Sequence, residues 1–198
     1  MRGMTALATV PAAGAALPAA SWPLVLACLL LLNGCTSGKP GTTNRSYSIH
    51  AETRHGFAQS VRSRAPRGGR AFGLVEITFH PDYKLVAGNS GCRADVRAVE
   101  LELVITLPKW RDGKPVPGSI GSHWKRFERT IRQHEMTHVR IARDYAARMR
   151  GAIAALRAGS CRELGDRIRT RIKTIKIQHL RAQHLFDRRE QRRLKSLL

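Results

Sequence analysis

Apolar residues recur with helical spacing along two stretches of the second half of the chain. In the first, Phe127, Ile131, His134, His138, Ile141, Tyr145 and Met149 follow one another at intervals of three or four. At about 100° per residue they fall in a sector about 80° wide, the buried stripe of an amphipathic helix. In the second, Leu164, Ile168, Ile172, Ile175, His179, Ala182 and Phe186 repeat the pattern. The spacing predicts two long helices, about Ser122–Ala158 and Cys161–Leu198, parted by Gly159 and Ser160. A short link makes them antiparallel neighbours whose apolar stripes meet.

The first half reads differently. YSIHAET alternates and predicts a strand. Thr53 then caps a short helix near His55–Arg64, ended by Pro66 and the glycines of RGGR. AFGLVEITFHPDYKLV and CRADVRAVELELVITLP are two further extended regions, the latter ended by Pro108. KWRDGKPVPGSIGS, rich in Pro and Gly, is a loop. Strands first and helices after predict an α+β fold, with two long C-terminal helices packed on one face of a small antiparallel sheet.

The chain has 198 residues, of which 42% are hydrophobic. It is long enough for one domain plus accessory segments and is no disordered polycation. The accessory segment is at the N-terminus. Residues 22–34, WPLVLACLLLLNG, are too short to span a membrane comfortably. They run into Cys35. Leu32, Asn33, Gly34 and Cys35 resemble the bacterial lipobox, which implies cleavage after Gly34 and lipidation of Cys35. Residues 1–34 are then a lipoprotein signal peptide, 35–45 a flexible tether and 46–198 the functional domain. Export to an oxidising compartment makes Cys92 and Cys161 a disulfide pair. Cys28 lies within the signal.

The chemistry concentrates in QHEMTH, residues 133–138. His134 and His138 are one turn apart on the buried stripe, so both imidazoles reach one metal ion. Glu135 is rotated about 100° from His134 and stands beside the metal, placed to take a proton from water. This zincin-like HExxH helix predicts zinc. Two buried imidazoles without such a role each need partners. An active zinc site needs a third protein ligand and an open position. Asp144 stands where one extension of the motif has its third ligand. Ile141 replaces the glycine that would turn the chain, so Asp144 is rejected. The position of a thermolysin-type glutamate holds Ala158, and Glu163 beyond it is a weak candidate. The second helix offers His179, on the stripe facing the core, and Asp187 toward the stripe's edge. His184 points away. Tyr145, on the histidine side, either supports an oxyanion or packs in the core.

The strand block ending in Cys92, the ITLPKW stretch, Trp124 ahead of HEMTH, Cys161 and the terminal QHLFDRRE together resemble a bacterial family called domain of unknown function 922. The resemblance covers about residues 45–190 and implies a secreted zinc-dependent protease. The Phe186-Asp187 pair matches the family's C-terminal aromatic-aspartate pair, which implies Asp187 as third ligand. The residue pattern favours His179, and both stay open. Where some members continue with a threonine and a His-Gly pair, this chain has Glu190, Arg192 and Arg193.

The net charge is +21, and residues 161–198 hold twelve basic against four acidic residues. Nucleic acid is the general reading of such a charge, but the export signal and the lack of interleaved aromatics argue against it. An anionic membrane or cell-wall surface suits a tethered cationic domain, with RREQRRLK, residues 188–195, touching headgroups. The sequence thus predicts a zinc-dependent metallopeptidase of the bacterial cell envelope. It would be lipid-anchored on the periplasmic side, with a peptide or protein substrate and Glu135 as general base. The alternatives are a non-catalytic cationic lipoprotein binding an anionic surface, and a zinc amidase acting on peptidoglycan.

Overall fold

The computed structural model describes residues 40–198. The signal peptide and the lipobox at Cys35 lie outside the described residues. In chain order the elements are β1 (Thr42–Ile49), α1 (Arg54–Arg64), a single turn α2 (Pro66–Gly69), β2 (Leu74–Gly88), β3 (Gly91–Trp110), α3 (Gly118–Ala154), the two-residue β4 (Arg157–Ala158) and α4 (Cys161–Lys195). This is the α+β arrangement expected, with strands first and the two long helices last. Thr53 caps α1 as its residue type predicts: its Oγ1 accepts from the Gly56 N–H at 3.1 Å.

The sheet departs from the expected one in a specific way. Its order is β1-β3-β2, with β4 paired to the start of β3. β2 and β3 form the expected antiparallel hairpin, turning at Asn89 and Ser90. β1 adds to β3 in parallel, so the sheet is mixed. β1 also begins at Thr42, inside the segment expected to be a tether. The side chains of residues 42–46 are exposed. Backbone pairing to Leu103–Leu107 holds them there, and a composition-based reading does not see backbone pairing.

Prolines mark the sheet edges. Pro81 lies in β2, an outer strand whose second edge is unpaired among the described residues, where a missing N–H is tolerated. Pro108 does not end β3 as expected. β2 has already stopped at Leu74, opposite Thr106, so at Pro108 only β1 needs partners. β3 therefore runs on to Trp110.

The sheet and α4 both pack on α3. One apolar cluster joins Ile49, Phe57, Trp110, Trp124, Phe127 and Ile131 around the start of α3. Another joins Phe79, Met149, Ile153, Leu164, Ile168 and Ile175 around its end. The α4 stripe faces the core as its periodicity predicts, with Leu164, Ile168, Ile175 and His179 buried and Ile172, Ala182 and Phe186 half-buried. It runs antiparallel to α3: Asp187 meets His134, Gln183 meets His138 and Leu164 shares a cluster with Ile153. The buried stripe of α3 is wider than expected. It takes in Glu135, Val139, Ala142 and Ala146, because the sheet covers one flank of the helix and α4 the other. The disulfide Cys92–Cys161 ties the start of β3 to the start of α4.

Candidate metal centre

Between the two apolar clusters α3 carries His134, Glu135 and His138. Both His134 and Glu135 are buried, at 5% and 4% exposure. Across from them α4 brings Asp187. Its Oδ1 lies 3.2 Å from His134 Nε2 and 2.9 Å from His138 Nε2. The two Nε2 atoms are 3.0 Å apart. Three lone-pair donors thus form a nearly equilateral triangle. Tetrahedral zinc with ligands at roughly 2.0–2.1 Å spaces its donors about 3.3 Å apart. The triangle is close to that span, and one shared cation would satisfy all three atoms. Burial alone would raise the Asp187 carboxyl. Hydrogen bonds from the two imidazoles outweigh it and hold the group well below the usual carboxylate range.

Phe186, beside Asp187, fixes both rings. It stacks on His134 with centroids 4.7 Å apart and meets His138 edge-on at 5.1 Å. A second support comes from Gln183. The His138 Nδ1–H donates to its amide oxygen, so Nε2, now bonded to Asp187, is the nitrogen that would ligate a metal once its proton is displaced. The amide nitrogen donates to His138 O at 3.1 Å and to His179 Nε2 at 2.7 Å. Burial pulls His138 toward the neutral form, but its bonds to Asp187 and Gln183 outweigh that and raise its pKa.

The two candidates for the third ligand are thereby separated. Asp187 stands with the histidines. His179, the residue favoured by the apolar pattern, is buried but one step behind, its Nε2 occupied by Gln183. It packs edge-on against Phe79 at 5.0 Å and Tyr145 at 5.5 Å. Burial, with the nearby charge of His138, lowers its pKa to about 4, so it stays neutral and accepts from the amide. A helical wheel places His179 on the right face of α4. It does not show that one further turn each way decides between ligand and support. Tyr145 packs its ring edge-on against His179. Asp144 is exposed, and Glu163 pairs with Arg167 at 3.7 Å at the far end of α4. His184 is exposed on the rim of the cleft.

Glu135 faces the segment that leads into β2. Burial pushes its carboxyl up to about 7 against the lowering effect of the two histidines. Gly73 lies against it: a Cβ there would stand 2.5 Å from Oε1 and 2.7 Å from Cγ. Tyr47 on β1 holds this segment, its hydroxyl donating to Phe72 O at 2.6 Å. Burial first, and Glu135 second, raise the Tyr47 pKa. The sequence reading missed Gly73, Tyr47 and Gln183. A glycine just before an apolar strand carried a signal of close backbone approach, whereas the other two carried none.

The donor triangle opens on a cleft of about 920 Å³. α3 and α4 form one wall. The other is the continuous run Gly69–Phe79, which includes the first half of β2. Residues of both parities line it, so the cleft follows the edge of β2 that has no partner strand among the described residues, and not one face of the sheet. Among the described residues no helix is long and apolar enough to cross a membrane.

No curated protein and no solved structure matches the chain. A family model described as "Bacterial protein of unknown function (DUF922)" matches residues 44–193, which include every residue of the donor triangle and its supports. The chain belongs to this bacterial family.

Proposed function

We propose that the protein is a zinc-dependent peptidase of the bacterial cell envelope, held there by a lipid on Cys35. The observation that carries the reading is the triangle of His134, His138 and Asp187 with the buried carboxyl of Glu135 beside it. A purely structural zinc site is closed by a fourth protein ligand. Among the described residues the group has three members, and it opens on a cleft. Zinc held by these three would acidify water toward a pKa of about 7 and polarise a carbonyl. Glu135 then accepts a proton from the attacking water and returns it to the leaving amine.

The free edge of β2 supports a peptide as substrate. An extended chain laid along it completes the outer strand's hydrogen bonds and runs past the metal centre. That favours an extended peptide over the branched peptidoglycan of an amidase, and catalysis over a purely cationic surface role.

The test is metal content of the protein purified without added zinc, alongside a His134→Ala, His138→Ala variant, followed by a peptidase screen. About one zinc per chain, absent from the double variant, is expected. Glu135→Gln keeps the zinc and loses about 10²–10⁴-fold in turnover. A folded wild type that takes up no zinc even when supplied would sink the reading, as would a fully active Glu135→Gln.

A further inference from the structure

The exposed charges that line the cleft without an ion-pair partner are all positive. Five cations line it: Arg67 and Arg70 before β2, and Lys176, Arg188 and Lys195 on α4. All five are exposed. Among the described residues none of them forms an ion pair, although ten such pairs occur elsewhere in the domain and at the metal centre. Three carboxylates also line the cleft, and each has another cation or a buried seat nearby. Asp187 belongs to the donor triangle, Glu135 is buried beside it, and Glu76 faces Arg45 at 4.0 Å. On α4 no acidic residue stands three or four positions from Lys176, Arg188 or Lys195, and Arg67 acts on the buried Glu135 carboxyl without pairing with it.

The cations also have a geometry. Arg67 and Arg70 sit at the end of the cleft where the chain enters β2. Lys176, Arg188 and Lys195 lie along the opposite wall, spread over α4 on either side of Asp187. A strand on the β2 edge therefore has positive charge at one end and along its outward side. Leu180, 56% exposed on the same wall, gives it an apolar contact between the charges.

We propose that the site selects acidic peptide segments, with Asp or Glu side chains flanking the bond placed at the metal centre. This rests on the peptidase reading and names its substrate class. Lys176 and Arg188 are specificity residues here; neither is a member of the donor triangle, although Arg188 follows Asp187 in the chain. The attraction works on binding and on encounter rate, and salt weakens it.

The experiment uses the full-length, zinc-loaded Glu135→Gln protein in detergent, which binds without cleaving. The probes are three fluorescein-labelled decapeptides that share one apolar scaffold and carry Glu, Gln or Lys at the same three positions. Fluorescence anisotropy at low salt reads the dissociation constants. The Glu peptide should bind about tenfold or more tightly than the Gln peptide, with the Lys peptide weakest. Lys176→Glu with Arg188→Glu should remove most of that preference. Lys84→Glu with Arg150→Glu changes the net charge equally, at exposed positions outside the cleft, and should leave it in place. Equal binding of the Glu and Gln peptides overturns the inference. So does a preference that both pairs of substitutions reduce alike, since it then belongs to the net charge and not to the cleft. Failure of all three peptides to bind a zinc-loaded protein is a different result: it removes the peptidase reading itself, and this inference with it.

Discussion

Gly73 and Glu135 are in contact through the absence of a side chain. A Cβ on Gly73 would stand 2.5 Å from the Glu135 Oε1, closer than real Cβ atoms come to anything. Gly73 precedes β2, and the Tyr47 hydroxyl holds the neighbouring Phe72 carbonyl in place. The position of the proposed general base thus depends on a residue 62 positions away in sequence.

Gly73→Ala is therefore expected to displace the Glu135 carboxylate while leaving the donor triangle on α3 and α4 intact. Peptidase turnover should fall about 10–100-fold, since small misplacements of catalytic groups have such costs. Zinc content should not change. Tyr47→Phe, which removes only the hydrogen bond to Phe72, should show the same pattern more weakly. A Gly73→Ala protein with wild-type turnover would show that Glu135 does not need its present seat.

Gln183 separates metal binding from structure in the other direction. Its amide oxygen fixes the His138 tautomer, so Gln183→Leu should weaken zinc affinity about 10–100-fold, the usual cost of losing a ligand's hydrogen-bond partner. Asp187→Ala removes a donor and should cost more than that. His179→Ala, acting through Gln183, should cost less than Gln183→Leu. Competition with a chromogenic chelator ranks the three. If His179→Ala proves worse than Asp187→Ala, the assignment of the third ligand is reversed.

The pH dependence of folding has a local source in His179. Its pKa is lowered to about 4 by burial and by the charge of His138, against about 6.5 in an unfolded chain. Between those values the unfolded state holds a proton that the folded state refuses, so this contribution to stability is lost as pH falls from about 6.5 to about 4. Glu135 works in the opposite direction over part of the same range, since its carboxyl is pushed up to about 7. The readout is accordingly a difference. In chelator-treated protein, the destabilisation caused by His179→Gln should be largest near pH 7 and shrink toward pH 4–5. A penalty independent of pH would mean that lost packing, not the neutral imidazole, is what matters.

The disulfide closes a span of 69 residues, worth roughly 4 kcal/mol on the chain-entropy view. Cys92→Ser with Cys161→Ser should lower the thermal midpoint by many degrees. The bond joins the β3–β4 end of the sheet to the start of α4, away from the donor triangle at the other end of the helix pair. Zinc affinity of the folded double variant should stay within a fewfold of wild type.

Local pattern carried much of this protein. The two long helices, the apolar stripe of α4, the pairing of Cys92 with Cys161 and the ligand spacing of His134 and His138 all follow from residues three, four or seven apart, or from an even cysteine count. The helical period and the i, i+4 geometry are properties of a single segment, so a sequence displays them. What needed the tertiary structure were relations between segments. β1 joins β3 in parallel through backbone groups that residue types do not encode. Val139 and Ala142 are buried because the sheet lies on a second flank of α3. His179 and Asp187 both sit on α4 facing α3, and the antiparallel register of the two helices alone makes Asp187 the neighbour of the histidines and His179 the partner of Gln183. A periodicity fixes which face of a helix is buried. It leaves open the sliding of one helix along another, and here a slide of two turns exchanges a ligand for its support.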